Sequence, residues 1–150
     1  MSEHGERSRE SRRRAGVLVL ALVVVLAAAC GGQGTLGAKA LGEQSKAVQS
    51  LAAEGALLAQ DSADGKSTDI FRREHSNELS AAASKTRASL ASATTKPSLE
   101  SERRELTALA AKVGADLKRL ASASEAEQRT LAKALDEAAH QSERIGESLA

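Results

Sequence analysis

Beyond an N-terminal segment, apolar residues recur every three or four positions, a spacing typical of amphipathic helices. The pattern predicts a first helix over residues 38–60. It predicts a second that begins at one of the capping residues 67–69 and ends near Thr94. Pro97 ends this helix, because proline disfavours helical geometry in the residue before it. Between the two helices, Gly65 suits the left-handed conformation that often follows a helix C-terminus.

The apolar stripes of these two helices differ in strength. The first consists of Leu41, Val48, Leu51 and Leu58. The second is weak, with small residues at its centre, and consists of Phe71, His75, Leu79, Ala82, Thr86, Leu90 and Ala93. Gly55 lies inside the first helix, where glycine costs about 1 kcal/mol relative to alanine. We therefore expect another helix to approach the first one closely at Gly55.

Two strong apolar seams follow Pro97. They consist of Leu106, Ala110, Val113, Leu117 and Leu120, and then of Leu131, Leu135, Ala138, Ser142, Ile145 and Leu149. The junction at residues 122–127 contains two overlapping capping-box patterns, but no glycine or proline. These patterns pair Ser122 with Glu125 and Ser124 with Glu127. The junction is therefore compatible with a break and with a continuous helix.

We predict a break, which gives an all-α fold. Four helices of similar length can bury one another's apolar faces as an antiparallel four-helix bundle. The alternative is a helical hairpin followed by one helix over residues 98–149, roughly 75 Å long. Half of its seam would then need a partner, which a dimeric coiled coil provides.

The N-terminal segment has a different pattern. An apolar run from Ala15 to Ala29 follows an arginine cluster at residues 12–14. At about 1.5 Å of rise per residue, such a helix reaches roughly 22 Å, less than the roughly 30 Å hydrocarbon core of a bilayer. A charged segment, a short apolar segment and small residues in succession are typical of a cleaved export signal. The arginines would stay on the cytoplasmic side.

Leu26-Ala27-Ala28-Ala29-Cys30 resembles the lipobox of bacterial lipoproteins, in which small residues precede an invariant cysteine. Leu26 stands four residues before the cysteine, whereas the family usually has leucine three residues before it. The resemblance implies that Cys30 receives a diacylglycerol and that residues 1–29 are cleaved off. Two acyl chains suffice for stable membrane anchoring where one does not. Cys30 is also the only cysteine, so the chain cannot form an intramolecular disulfide.

This interpretation divides the chain into three parts. They are a signal peptide at 1–29, a lipidated cysteine with a flexible glycine-rich tether at 30–37, and a helical domain at 38–150. We expect the domain to lie on the extracytoplasmic side of the cell membrane, held there by Cys30. Ser11-Arg12-Arg13 resembles the start of a twin-arginine signal, so both this route and the general secretory route are open. The choice between inner and outer membrane is open as well.

The amino-acid composition argues against some classes of partner for the exported part. Loss of residues 1–29 removes five of the 21 Lys and Arg residues and three of the 20 Asp and Glu residues, which leaves a net charge of −1. This argues against nucleic acid as a partner, since nucleic acid requires a basic face. Phe71 is the only aromatic residue, whereas surfaces that stack sugars or bases rely on aromatic rings.

Two histidines are candidates for a binding site. His75 lies on the predicted apolar face of the second helix, where it could line a pocket closed by Phe71 for a small apolar ligand or a metal. A partly buried, hydrogen-bonded histidine is the simpler interpretation. Glu137 and His140 have the Glu-x-x-His spacing of carboxylate-bridged metal sites. The second such motif is absent, because Arg72 stands three residues before His75, so we interpret Glu137 and His140 as a surface pair.

The charged residues give no catalytic pattern. Residues 72–74 and 102–105 are mixed-charge runs, which we expect to be solvated helix faces or a docking patch for an anionic partner. Asp61 and Asp64 lie in a loop with Gly65, without the EF-hand pattern. The sequence also lacks a phosphate-binding glycine loop and a nucleophile elbow. We therefore predict a protein that is not an enzyme and needs no cofactor.

The sequence thus predicts a lipid-anchored cell-envelope protein that binds or organises an envelope protein or polymer. Its membrane contact is the diacylglycerol on Cys30, and it could also form a homodimer. The alternative is a helical bundle that binds a small ligand near His75.

Overall fold

The computed structural model describes residues 35–150, which form a helical bundle. Its elements are β1 (Thr35–Leu36), α1 (Ala38–Ala63), α2 (Asp69–Ser92), β2 (Thr94–Thr95), a 3₁₀ turn (Pro97–Leu99), α3 (Glu100–Leu120) and α4 (Glu125–Ser148). The predicted all-α class is confirmed, with one pair of two-residue strands in addition. The predicted signal peptide, Cys30 and the first tether residues lie outside the described range.

Local sequence signals set the ends of α1 and α2. α1 continues past Gln60 to Ala63, and Gly65 then adopts a φ of 70°, the left-handed conformation expected of it. Thr68 caps α2, because its hydroxyl accepts a hydrogen bond from the amide of Phe71 at 3.2 Å. α2 ends at Ser92, before the predicted end, because the residues that follow pair with β1.

The segment before α1 differs from the predicted tether. Thr35 pairs with Thr94 and Leu36 with Thr95 in a short parallel ladder. Leu36 is also partly buried against the helical core. The flexible tether predicted over residues 30–37 is therefore too long. Backbone pairing and burial of Leu36 fix the chain from Thr35 onwards to the connection between α2 and α3.

α3 and α4 are separate helices, as predicted. Ser124 is the N-cap of α4, and the Glu127 carboxylate accepts hydrogen bonds from the Ser124 amide at 2.9 Å and hydroxyl at 2.7 Å. These bonds hold the pKa of the Glu127 carboxyl below its ordinary value. The alternative of one helix over residues 98–149 is wrong, because this capping box starts a new helix after Leu120.

The core is built from leucine, valine, isoleucine and alanine side chains of all four helices. The predicted α3 seam is confirmed, since Leu106, Ala110, Val113, Leu117 and Leu120 are all buried. In α4 the buried seam residues are Leu131, Leu135, Ala138, Ser142 and Ile145, and Leu149 packs against the edge of the core. In α1, Leu41, Val48 and Leu58 are buried and Leu51 is partly buried. No helix within residues 35–150 has the length and apolar character needed to cross a membrane.

α1 and α4 pack through small residues. The Ser45 hydroxyl donates to the Ser142 carbonyl, and the Ser142 hydroxyl donates to the Ser45 carbonyl at 2.8 Å. Both serines are buried, so these reciprocal bonds satisfy hydroxyl groups that would otherwise lack partners inside the bundle. Gly146 lies beside them, and a Cβ there would come within 3.1 Å of Ser45 Oγ.

Gly55 confirms the close approach expected at that position. A Cβ on Gly55 would overlap Leu117 Cδ2 and lie 3.2 Å from Leu135 Cδ1. Both leucines are fully buried, so neither can move freely. The absence of a side chain at Gly55 thus lets α1, α3 and α4 meet.

The two glycines of α1 should respond oppositely to alanine. Gly42→Ala is expected to stabilise the fold by about 0.5–1 kcal/mol, because alanine favours helix and a Cβ there meets nothing within 4 Å. Gly55→Ala gains the same propensity but overpacks the core, for a net loss of about 1–2 kcal/mol. Urea unfolding of the three proteins measures both effects. A Gly55→Ala protein as stable as the Gly42→Ala protein would mean that Leu117 moves aside at no cost.

Candidate functional site

The first turn of α2 places two large apolar side chains on the surface. Ile70 is 69% exposed and Phe71 is 54% exposed, whereas most large apolar side chains of residues 35–150 are buried. Leu57, on α1, is the third exposed one in this range. Phe71 is also the only aromatic residue of the chain. We refer to Ile70, Phe71 and His75 together as the Phe71 patch.

His75 supports the Phe71 ring and connects α2 to α1. The two ring centroids are 5.2 Å apart and the ring planes are inclined by 22°, a stacked arrangement. His75 Nε2 lies 2.8 Å from Glu54 Oε1 of α1, and His75 Nδ1 lies 3.5 Å from Glu78 Oε2 of α2. The imidazole is therefore held on two sides by carboxylates, and Phe71 is held on the surface by the imidazole.

Carboxylates surround the Phe71 patch. The side chains of Glu54, Asp69, Glu74 and Glu78 are all exposed, and we call these four residues the acidic rim. Arg73 contributes one positive charge to the same turns of α2, and Arg72 contributes a second, which pairs with Asp69 at 2.9 Å. The site is thus a small apolar surface with an aromatic ring, set in mainly negative surroundings.

The apolar stripe predicted for α2 is only partly correct, because Leu79 and Leu90 are buried but Phe71 and Ala82 are exposed. The side chains that α2 buries are Arg72, Ser76, Leu79, Ala83 and Leu90. Phe71 is exposed and His75 is only partly buried, although both were expected to face the core. Successive residues are about 100° apart around a helix, so turning Arg72 inward turns Phe71 outward.

Arg72 turns inward because its guanidinium has partners on α3. Nη1 donates to the Leu120 carbonyl at 2.8 Å and to the Ala123 carbonyl at 3.1 Å. Nη2 donates to Asp69 Oδ1 at 2.9 Å. Leu120 is the last residue of α3 and Ala123 lies in the connection to α4, so these bonds join the first turn of α2 to the C-terminal end of α3. An arginine in a mixed-charge run therefore has a structural role that the sequence analysis missed.

A second arginine acts in the same way at the opposite end of this helix pair. Arg103, near the start of α3, donates to the Leu90 carbonyl near the end of α2 at 2.8 Å. It also pairs with Glu100, three residues before it, at 2.7 Å. Asp69 and Arg72 have the same spacing, so an acid and an arginine three residues apart begin both helices. That repeated spacing is the sequence signal that could have identified both arginines.

Glu100 lies two residues before the second charged run and binds two arginines of that run. Its carboxylate accepts hydrogen bonds from Arg103 and Arg104, and from the Thr95 hydroxyl at 2.9 Å. The hydrogen bond from Arg103 is the main cause that lowers the pKa of Glu100 from 4.5 to about 2, and the bond from Thr95 adds to it. Two arginines of the run at residues 102–105 therefore hold the Glu100 carboxylate. That carboxylate also accepts the hydrogen bond that connects Thr95 of β2 to α3.

The predicted pocket near His75 requires Phe71 to close a space between helices. The Phe71 ring instead lies on the outer surface and stacks on His75. Three open clefts are present elsewhere in the described part of the chain. Their volumes are about 710 Å³ between α1 and α4 beside Leu57, about 470 Å³ between the start of α1 and the end of α4, and about 300 Å³ between α2 and α3 beside Gly114. Neither Phe71 nor His75 lines any of the three.

The other two candidate metal ligands lie on the surface of α4. Glu137 and His140 are both exposed, and His140 lies 3.8 Å from Asp136 and 3.5 Å from Glu143. In residues 35–150, no group of three or more histidine, cysteine, aspartate or glutamate side chains is arranged to hold a metal ion.

The loop after α1 is closed by an ion pair. Lys66 Nζ lies 3.0 Å from Asp64 Oδ2 and 3.8 Å from Asp61 Oδ1. The hydrogen bond to Asp64 raises the pKa of Lys66. Lys66 therefore pairs with Asp64 of this loop and with Asp61 of the last turn of α1.

Cys30 lies outside the described residues, and its lipidation stays a prediction. A comparison of the chain with protein-family models, with curated proteins and with solved structures finds no match. The function is therefore inferred from the motif at residues 26–30 and from the surface of the bundle.

Proposed function

We propose that this chain is a lipid-anchored cell-envelope protein that acts as a non-enzymatic interaction module. The anchor is supported by the apolar run, too short to span a bilayer easily, and by the small residues that lead into Cys30. Cys30 receives a diacylglycerol, residues 1–29 are removed, and the helical domain is held on the extracytoplasmic side.

The helices are proposed to run antiparallel to their sequence neighbours. Contacts between opposite helix ends support this topology. Ser45 near the start of α1 contacts Ser142 near the end of α4. Arg72 at the start of α2 contacts Leu120 at the end of α3. The connections between consecutive helices are short, as in up-down-up-down bundles.

The exposed Phe71 patch is the observation that supports an interaction role. The core is filled by leucine, valine, isoleucine and alanine, and the one aromatic ring of the chain lies outside it. Burying a phenylalanine or isoleucine side chain stabilises a complex by about 1.5–3 kcal/mol each. Aromatic residues are enriched among the residues that dominate binding energies at interfaces. The patch therefore suits the centre of a small docking surface.

The partner is proposed to be an envelope protein with an apolar pocket bordered by basic side chains. The acidic rim around Phe71 would face those bases, which would increase the association rate and select against acidic partners. Anionic polymers and anionic lipid headgroups carry the same sign of charge as the rim and fit this surface less well. The patch contains no paired catalytic groups aimed at a shared cavity, so it supports binding rather than a reaction.

Site-specific crosslinking in cells tests this proposal. A photoreactive residue at Ile70 of the anchored protein should give a discrete adduct with one envelope protein, whereas the same residue at Ala88, also exposed on α2, should not. Phe71→Ser should reduce the Ile70 adduct at least several-fold. Its effect on stability should stay within about 0.5 kcal/mol, because the ring is largely outside the core. Equal adducts from both positions, or an Ile70 adduct that Phe71→Ser does not weaken, would contradict a docking role for the patch.

A further inference from the structure

We infer that the bundle stands end-on at the membrane, with one defined end against the lipid headgroups and the Phe71 patch held away from them. The anchored end consists of residues 35–39 and 94–99, that is, β1, the start of α1 and the connection from α2 to α3. This inference rests on the proposed lipidation of Cys30, and it specifies which surface then meets the bilayer.

The length of the free chain is the first argument. Thr35 is fixed by its pairing with Thr94, so only residues 31–34 separate the acylated cysteine from the folded domain. A fully extended chain spans at most about 3.6 Å per residue, which places Thr35 within about 18 Å of Cys30. α3 alone is roughly 30 Å long at about 1.5 Å per residue. The anchored end therefore stays within about 18 Å of Cys30, and the opposite end can come as close to the headgroups only if the bundle lies on its side.

Charge at the anchored end is the second argument. Lys39 and Lys96 are exposed on either side of the strand pair, and neither forms an ion pair with another residue of the described range. The first turn of α1 contains no acidic residue, so the positive end of its dipole is not neutralised there. The first turn of α3 contains two carboxylates, of which Glu100 is already bound by two arginines and Glu102 is partly buried. Anionic headgroups thus meet two free ammonium groups at this surface.

Three further carboxylates border this end. Together with one further cation, Lys46, the glutamates Glu43, Glu143 and Glu147 line the same cleft as Lys39, at the side of the bundle where α1 meets α4. They make the α1–α4 side of the anchored end less favourable for anionic lipid than the side formed by β2 and Lys96. We therefore place the connection after β2 closest to the headgroups.

The opposite end carries the acidic rim. Arg72 contacts the carbonyl of Leu120, so the first turn of α2, with Phe71, lies beside the far end of α3. A bundle lying on the side formed by α1 and α2 would bring Glu54, Asp69, Glu74 and Glu78 towards anionic lipid, which repels them. An end-on orientation avoids that repulsion and presents the Phe71 patch to a partner in the aqueous space.

Depth-dependent fluorescence quenching tests the orientation. The acylated protein has no other thiol, so one introduced cysteine can be labelled uniquely. Ser98→Cys and Ser122→Cys are matched sites, both exposed and at opposite ends of α3. The lipidated, labelled proteins are placed in vesicles that contain anionic phospholipid and headgroup nitroxide lipids. We expect the probe at residue 98 to be quenched at least threefold more strongly than the probe at residue 122.

A spacer variant provides the internal control. Inserting about ten Gly and Ser residues between Gly34 and Thr35 lengthens the tether without touching the bundle, and should reduce quenching at residue 98 towards the value at residue 122. Lys39→Gln with Lys96→Gln should reduce it in part, and only with anionic lipid. Equal quenching at both sites, or stronger quenching at residue 122, would overturn the end-on orientation. Circular dichroism of each labelled protein confirms that the helices are intact.

Failure of the anchor and failure of the orientation give different results. If Cys30 is not acylated, the protein does not bind the vesicles and fatty-acid labelling is absent. If the anchor is present but the bundle lies flat, the protein binds and both probes are quenched alike. The crosslink from Ile70 is measured separately and does not depend on the vesicles.

Discussion

Cys30→Ala is expected to abolish the incorporation of labelled fatty acid and to leave a precursor that retains residues 1–29. The proposed thioether to diacylglycerol needs the sulfur of Cys30, and in the lipoprotein family that residues 26–30 resemble the signal peptidase cuts just before the cysteine that carries the lipid. Metabolic labelling with a palmitate analogue and the mass of the purified N-terminus measure both outcomes.

A displaced thiol serves as the control for this prediction. Ser122→Cys in the Cys30→Ala background restores one cysteine, on the exposed connection between α3 and α4. It should not restore labelling, because the acyl transfer depends on the residues that precede Cys30 and not on a thiol as such. Labelling of this variant, or a native protein with a free thiol at Cys30, would contradict the anchor.

The strong seams of α3 and α4 were predicted correctly because they depend on local information. Their apolar residues follow helical spacing without interruption, and Ser124 with Glu127 forms a cap within one turn. The capping patterns alone left the break between the helices open, and we predicted it because four helices of similar length can bury one another's apolar faces. Gly55 was also interpreted correctly, since a glycine inside a helix needs a tertiary reason.

α2 could not be predicted in the same way, because its orientation depends on a distant partner. Its sequence offers two stripes, one through Phe71 and His75 and one through Arg72 and Ser76. Hydrophobicity favours the first, since an arginine is rarely buried. The carbonyls of Leu120 and Ala123 reverse this choice, and they lie about fifty residues away in the chain.

The location of the candidate site depends on which face of α2 is buried. The sequence analysis identified Phe71 and His75 as candidate residues, but it predicted that they line a pocket inside the bundle. The structure brings the same two rings together on the surface, with Glu54 from another helix. The strand formed by Thr35 was also beyond sequence analysis, because a two-residue ladder has no periodic pattern.

Arg72→Ala is expected to destabilise the bundle by about 2–4 kcal/mol. The guanidinium donates to two backbone carbonyls at the end of α3, and the side chain is almost fully buried. Truncation leaves the carbonyls of Leu120 and Ala123 without these donors and removes the packing of the alkyl stem. Urea unfolding followed by circular dichroism measures the loss.

The neighbouring arginine provides a matched control. Arg73 has the same side chain as Arg72 and lies next to it in α2, but it is exposed. Arg73→Ala should therefore change the free energy of unfolding by less than about 0.5 kcal/mol. Arg72→Lys should recover only part of the loss, because a single ammonium cannot reproduce the planar fork that serves Leu120, Ala123 and Asp69 together.

Asp69→Ala distinguishes the two kinds of contact that Arg72 makes, the ion pair with Asp69 and the hydrogen bonds to backbone carbonyls. Its carboxylate is largely exposed, so the ion pair with Arg72 should contribute at most about 1 kcal/mol. If Asp69→Ala costs much less than Arg72→Ala, the carbonyls of α3 are the main partners of the arginine. The orientation of α2, and with it the exposure of Phe71, then depends on those carbonyls. If the Arg72→Ala protein is as stable as the Arg73→Ala protein, hydrophobic packing alone holds α2 in place and this explanation of its rotation is wrong.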